Sequence, residues 1–536
     1  MQYEKKISVG NEKDAVESLY DAFLTAKHYT SSLIELSSET YNFHPESTHK
    51  KIFYITNSQA EYEKAGYEKS IGCLLENIEN LTIDGQGATI YCLGKMTFFA
   101  AFNCRNITLK NITVDYVNPT VTEIAVIEKG KNYLICRVHP DSKYRIQDGK
   151  ILWYGQNFEF SSGISQIYDP TTNTTWRHYG PLEDKDATWE EIAPNIIKLS
   201  FSRENPYGIE VGQEFQMRDA IRDECGIVFS ECENVSLENV TMRYMHGLGI
   251  VAQNSNNLKY NKVYCAPDDR SGRHVSCFAD CMQFSGCRGK IMVEDSVFCG
   301  AHDDAINVHG TYLKIIEAKG RKLLLKFMHP QTFGITVFNK GDYLEAFDAD
   351  SLLPVSRGRV SKVLESDSPY FISVELTEES QAFKIGDVVE NISACPDFIV
   401  RNCNFSRIPT RGILATTRGK VIIENNLFYG IRYASVLIAN DAASWYESGR
   451  VYDVLISGNV FENCNSPIVK VFPENKKILK NEFVHGNITL RGNRVIGDSV
   501  NWIYAKSVKN LLLSGNVSER PPLEPVIMYC GKVIIS

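Results

Sequence analysis

The residues best suited to chemistry are acidic and lie within one short stretch. Asp280 stands in Phe278-Ala-Asp280, and 23 residues after it comes Asp303, in Ala301-His302-Asp303-Asp304-Ala305-Ile306-Asn307-Val308-His309-Gly310. Carboxylates brought together repel, so at least one of them holds a proton more tightly than usual. Such a group can donate to a leaving oxygen while ionised neighbours orient and deprotonate a water, which is the chemistry of glycoside hydrolysis. His302, Asn307 and His309 flank the pair as candidates for substrate binding and for tuning which carboxylate keeps the proton. Asp-Asp pairs also serve as turns, corner ladders or calcium ligands, and residue types alone leave those roles open. No Ser-His-Asp elbow and no phosphate-binding glycine loop competes. Cys277, Cys281, Cys287 and Cys299 are spaced by four, six and twelve residues, which matches no zinc pattern, so buried thiols are expected, with no metal and no cofactor.

For these aspartates to meet, the chain must come back to one place after about 23 residues. A recurring line does this: an alternating β run, then Asn, Asp or Gly, then a hydrophobe that is often Phe. It reads Val235-Ser-Leu-Glu-Asn-Val-Thr-Met242, Ile291-Met-Val-Glu-Asp-Ser-Val-Phe298, Ile422-Ile-Glu-Asn-Asn-Leu-Phe428 and Leu455-Ile-Ser-Gly-Asn-Val-Phe461. Aligned hydrophobes recur at 22 or 23 residues, as at Met242 and Tyr264 or Phe405 and Phe428. One coil of a solenoid fits that period, with inward hydrophobes in rows and Asn or Gly at the corners. The expected fold is all-β, a right-handed parallel β-helix, with Asp280 below the Asp303-Asp304 pair at the strand spacing of about 5 Å.

Residues 117–215 and 310–392 lack the repeat but are rich in alternating β segments. They share a motif, Cys136-Arg-Val-His-Pro140 and Lys326-Phe-Met-His-Pro330, and read as two related β-barrel-like insertions. The organisation expected is therefore an N-terminal cap and first coils over 1–116, an insertion over 117–215, coils carrying the aspartates over 216–309, a second insertion over 310–392 and C-terminal coils over 393–536. Helical spacing over Asp14–Phe23 suits a cap on the open N-terminal end.

A formal charge of −8, with no basic block, argues against nucleic acid or an anionic membrane as partner. No apolar run approaches the 18 or so residues of a membrane span. The N-terminus carries charged residues where a signal peptide needs an apolar stretch, so the sequence reads as cytoplasmic, with export expected only if a leader has been removed. Fifteen cysteines without framework spacing suit a reducing compartment.

The motifs Ala279-Asp280, Gln283-Phe284-Ser285-Gly286-Cys287, Gly289-Lys-Ile291 and Asp303-Asp304-Ala305-Ile306-Asn307-Val308-His309-Gly310 resemble the α-1,3-galactosidases of glycoside hydrolase family 110. The resemblance implies an inverting hydrolysis of terminal α-1,3-linked galactose, as in blood group B or linear α-galactosyl glycans. It makes Asp303 the general acid and gives Asp280 and Asp304 the water. Members of that family are typically exported, which this N-terminus does not suggest. A polygalacturonase-like β-helix also sets one Asp a coil from an Asp pair, but its Asn-Thr-Asp and Arg-Ile-Lys motifs are absent here; a noncatalytic carbohydrate-binding β-helix is the other alternative.

Two coils exceed the period by about a dozen residues, giving loops around Ala266–His274 and Asn440–Glu447. Both are expected to wall the pocket, with Arg270 touching substrate and Trp445 stacking on the apolar face of galactose. Inversion needs the acid about 6.5 to 9.5 Å from the water-binding pair. The solenoid's C-terminal end is expected to be covered by another subunit, as in a homodimer, or by the chain's own last segment, since Val526–Ile535 is too apolar to leave bare.

Overall fold

In the computed structural model, residues 3–11, 14–63, 66–380, 382–497, 501–520 and 524–536 are described. The repeated line folds as the sequence suggests and explains its own irregularity. Strand Glu233–Met242 buries Val235 and Leu237, then Val240 and Met242, so the alternation slips by one residue at Asn239. There the backbone turns left-handed at φ 56, which Asn tolerates better than most side chains, and the strand rounds a corner. The same corner recurs one coil below at Asn111, whose Oδ1 accepts from Asn239 Nδ2 at 3.0 Å. The Asn of the repeat is thus a corner ladder.

Coils stack in parallel register, Ile107 against Val235 and Val235 against Leu258. One 20-stranded sheet wraps two faces of the solenoid and a 13-stranded sheet makes the third. Inside, Phe298, Phe405, Phe428 and Phe461 stack at centroid distances of 5.0, 4.6 and 5.1 Å. Apolar burial along these rows is the main stabilising term of a solenoid.

Two insertions interrupt the stack. The first leaves after strand Arg105–Tyr116 and returns at Cys225–Ser230, forming a seven-stranded antiparallel sheet with a three-stranded one beside it. The second lies between Ile306–Thr311 and Asp397–Arg401 and closes into a six-stranded barrel. At the N-terminal end helix Ala15–Ala26, capped by the Asp14 carboxylate, buries Val16, Leu19 and Phe23 against the first coils. At the other end the preceding coil is covered by the segment Val526–Ile535. Strands Pro525–Met528 and Lys532–Ile535 form a further coil on it, and Ile535 is 62% exposed. Among the described residues no helix is long and apolar enough to cross a membrane.

Candidate active site

The 13-stranded face carries the aspartates. Strand Met282–Ser285 pairs with Ile306–Thr311, Met282 opposite Ile306, and an isolated bridge sets Cys277 opposite Ala301. That register places Asp280 level with Asp304, and Asp304 N donates to Asp280 Oδ1 at 3.2 Å. A carboxylate oxygen from each of Asp280, Asp303 and Asp304 lies within 4.8 Å of the others. Asp303 and Asp304 sit on one bend, which turns an oxygen of each toward Asp280. Two glycines make the bend possible. Gly300 has φ +84, and a Cβ there would meet the His274 carbonyl oxygen at 2.3 Å. On the coil below, a Cβ on Gly249 would stand 2.3 Å from the Cys281 carbonyl oxygen and 2.8 Å from that of Asp280.

Arginines delivered from elsewhere counter the crowding. Arg177, in the first insertion, pairs with Asp303 Oδ2 at 3.0 Å. Arg411 pairs with Asp304 Oδ2 at 2.9 Å, while its backbone N and Thr410 Oγ1 donate to Asp304 Oδ1 at 3.0 and 2.6 Å. These contacts pull the three acids apart. Burial and the two neighbouring carboxylates push Asp280 well above the usual range. Burial also raises Asp304, to about 6, although Arg411 opposes it. Burial would raise Asp303 too, but Arg177, Arg411, Arg222 and Arg218 together hold it at about 2. Asp280 and Asp304 are almost fully buried, and Asp303 is the partly exposed member.

The other predicted residues divide. Asn307 and His309 project from the same strand toward Glu447: Asn307 Nδ2 donates to Glu447 Oε1 at 3.3 Å, and His309 Nε2 lies 3.8 Å from it. His309 Nδ1 hydrogen-bonds the Gly310 carbonyl at 2.8 Å, leaving Nε2 to accept from Gln283 Nε2 at 3.1 Å. His302 is fully buried beneath the surface, with neither ring nitrogen partnered among the described residues. Trp445 is 39% exposed, its ring stacked on His329 at 4.2 Å with the Arg222 guanidinium 5.6 Å from its centroid. Arg270 does not join the site. It is largely exposed and pairs with Asp268 in its own turn. Its loop clamps the first insertion to the solenoid, because Arg273 binds Asp115 and Asp141 while His139 hydrogen-bonds the Ser271 carbonyl. The second long loop reaches the strand beside the aspartates, where Glu447 meets Asn307.

Several site residues carry no sequence signal that coil spacing could reveal. Arg177, Arg218 and Arg222 come from the first insertion and its return linker, and Asn57, whose Nδ2 reaches Glu447 Oε1 at 2.6 Å, comes from the N-terminal segment. Arg411 was within reach: Ile306 pairs with Ile413, so Arg411 sits in register one coil above Asp304 once the second insertion is removed.

Among the described residues two groups have ligand atoms close enough to hold a cation, the three aspartates and Glu123, Glu214 and His274. At the aspartates the positive complement is already built from arginine. In the second group His274 Nδ1 pairs with Glu214 Oε2 at 2.7 Å, and burial with the Glu214 charge raises Glu123 to about 7. It packs between the first insertion and the Arg273 loop, linked through Gln216 and Gln166 to the Ala301 carbonyl.

Comparison with known proteins agrees with this layout. Residues 122–213 match the family described as GLAA-B beta-barrel domain I, 322–389 match GLAA-B beta-barrel domain II, and 388–536 match a right handed beta helix region. Alpha-1,3-galactosidase A of Bacteroides thetaiotaomicron is 40% identical over 490 residues, covering 90% of this chain and 85% of that protein. Alpha-1,3-galactosidase B of the same organism is 32% identical over 525 residues, covering 94% and 83%. Among solved structures, an exopolygalacturonase from Thermotoga maritima aligns at 12% identity and TM-score 0.40, covering 98% of this chain and 92% of that one.

Proposed function

The chain belongs to the α-1,3-galactosidase family, and from that premise we propose that it is an exo-acting, inverting hydrolase releasing terminal α-1,3-linked galactose from blood group B-type or linear α-galactosyl glycans. The observation that carries the reading is the cluster of Asp280, Asp303 and Asp304 on one solenoid face. Asp303, the accessible member, is the general acid that protonates the leaving oxygen. Asp280 and Asp304, buried and joined by a hydrogen bond, hold the water and take its proton. Asn307 Oδ1 and Gln283 Oε1, buried acceptors without partners among the described residues, receive galactose hydroxyls. An acid role requires that Asp303 regain the proton its arginines now drive off.

One observation favours a second reading. Oxygens within 4.8 Å of each other suit the closer spacing of retaining enzymes better than that of inverting ones. Inversion is supported by the family resemblance and by the buried pair, neither member of which faces outward to attack carbon. Proton NMR during the first minutes of hydrolysis separates the two. Initial β-galactose is expected; initial α-galactose would overturn the inverting mechanism and the roles of all three aspartates.

A further inference from the structure

The two ends of the catalytic segment meet different chemistry. Around Asn307 the open groups accept: Asn307 Oδ1 and Gln283 Oε1 are buried without partners among the described residues, and the Glu447 carboxylate stands beside them. Four residues back along the chain, at Asp303, the open groups donate. They come from Thr174–His178, the edge strand of the first insertion. Trp176 lies opposite Ile167 on the face that builds the insertion's own core, and Arg177 lies opposite Gln166 on the other, polar face. That polar face docks on the bend, where Gln166 Nε2 meets the Ala301 carbonyl at 3.5 Å and Arg177 Nη2 meets Asp303 Oδ2 at 3.0 Å.

The Arg177–Asp303 pair lies open to solvent. Its side chains are 34% and 23% exposed, whereas Asp304, paired with Arg411, is 1% exposed. A guanidinium carries five N–H donors in a rigid fork, and among the described residues Asp303 is the one acceptor that Arg177 reaches. Its remaining donors stand beside the carboxyl that must protonate the leaving oxygen. The other cations acting on Asp303 are tied down. Arg411 is held by Asp304 and also feels Glu447, and Arg222 Nη2 bonds Gln331 Oε1 at 2.7 Å. Buried Arg218 bonds the Asp219 carbonyl, while the Asp219 carboxylate faces Asp223 and Lys95. Asp280 and Asp304 are the carboxylates facing Asp303, and burial with the charges of Arg218 and Arg177 keeps His302 neutral. Of the four arginines, Arg177 is the one that can leave Asp303 without breaking a second contact.

We propose that Arg177 binds the sugar that leaves, and that its transfer from Asp303 to oxygens of that sugar lets Asp303 take up the proton it donates. A sugar hydroxyl accepts from the guanidinium as the carboxylate did, and a carboxylate that loses its counter-charge holds a proton more tightly. The proton enters from solvent at the exposed pair and departs on the leaving oxygen as the bond to C1 breaks. The attacking water gives its own proton to the Asp280 and Asp304 pair, which balances the step. The substrate class is therefore a galactoside whose leaving group is itself a sugar with free hydroxyls, in preference to one with an apolar aglycone. The proposal rests on the hydrolase reading above. Wild type, Arg177→Gln and Arg177→Lys are assayed as a function of pH on galactosyl-α-1,3-galactose and on α-galactosyl fluoride, whose leaving group has no hydroxyl and needs little protonation. Arg177→Gln should lower kcat/KM on the disaccharide about thirtyfold more than on the fluoride. It should also raise the alkaline limb of kcat/KM on the disaccharide by about one to two pH units, because that limb reports the free enzyme. In the wild type the limb of kcat, which reports the enzyme with sugar bound, should already lie above that of kcat/KM. Arg177→Lys, which keeps the charge without the fork, should hold the limb low and lose part of the preference for the disaccharide. Equal losses on both substrates in both variants, or a limb that stays in place in Arg177→Gln, overturns the proposal. A wild type that cleaves neither substrate overturns the hydrolase reading, and this proposal with it.

Discussion

Asp280→Asn should abolish activity and yet stabilise the protein. Asp280 is 5% exposed, has no ion pair among the described residues, and faces two carboxylates whose oxygens lie within 4.8 Å. At an effective dielectric of about 20, each unit charge at that distance opposes an ionised Asp280 by about 3.5 kcal/mol. Arg222 and Arg411 offset part of this, and a retained proton relieves more, leaving a net cost of about 2 to 3 kcal/mol at neutral pH. An amide of the same shape escapes it while still accepting from Asp304 N. The pH dependence fixes the sign. A folded-state value raised above the unfolded one means that the native chain holds a proton the unfolded chain releases, so wild-type stability falls as pH rises from about 3.9 toward the folded value. The variant lacks that fall, and its advantage should be near zero at pH 3.5 and full once the folded value is passed. With about 2.1 cal/mol/K per residue, the 536 residues give a melting entropy of about 1.1 kcal/mol/K, so the gain is a Tm rise of about 2 °C. Scanning calorimetry at pH 3.5, 5.5 and 7 measures it. A lower Tm at pH 7, or a shift independent of pH, would show that Asp280 is not held under like-charge strain.

Asp303→Asn should behave oppositely. Its value near 2 means that its ionised form stabilises the fold above the ordinary carboxylate range, a contribution lost as pH falls through 2, so the variant should lose about 2 kcal/mol at pH 7 in denaturant titration. If it is the acid, only this variant should be rescued on substrates with very good leaving groups. Arg411→Gln removes the cation opposing Asp304's rise to about 6, so the acidic limb of kcat/KM should move to higher pH by about one unit; an unmoved limb removes Asp304 from the base role. Trp445→Ala should raise KM several-fold without changing the circular dichroism, whereas an unchanged KM takes the residue out of the binding site. The exposed apolar edge at Ile534 and Ile535 should pair with a second copy, giving twice 60.5 kDa by light scattering at micromolar concentration; a monomer there sinks the dimer.

The solenoid was legible because its constraint is local and repeated. Each inward hydrophobe must find its equivalent one coil away, so Phe405, Phe428 and Phe461 announce the register, whereas aligning Met242 with Tyr264 is one residue out, because Met242 pairs with Cys265 and Tyr264 with Thr241. The aspartate cluster came with it, since position along a coil is all that brings Asp280 to Asp304. Position around the groove was less legible. Arg270 looked like a wall residue because its loop is long and precedes Asp280, yet loop length says nothing of direction, and Arg273 in the same loop turns it toward Asp115 and the first insertion. Trp445 lies at the rim, but its ring already stacks on His329, from the His-Pro motif that both insertions share. That motif docks each insertion on the solenoid, His139 against Ser271 and His329 against Trp445.

What no coil spacing encodes is the charge around the acids. The solenoid contributes carboxylates whose separation is fixed by strand register, and three such groups this close would hold protons more tightly if left to themselves. Arg177, Arg218 and Arg222 reach them only after a separate antiparallel sheet has folded and laid its polar face on Ala301 and Asp303. The proton inventory of the site is thus set by the insertion and its geometry by the coils. Damage confined to the insertion, such as a core substitution at Phe215, should therefore shift the pH dependence of the aspartates without moving them.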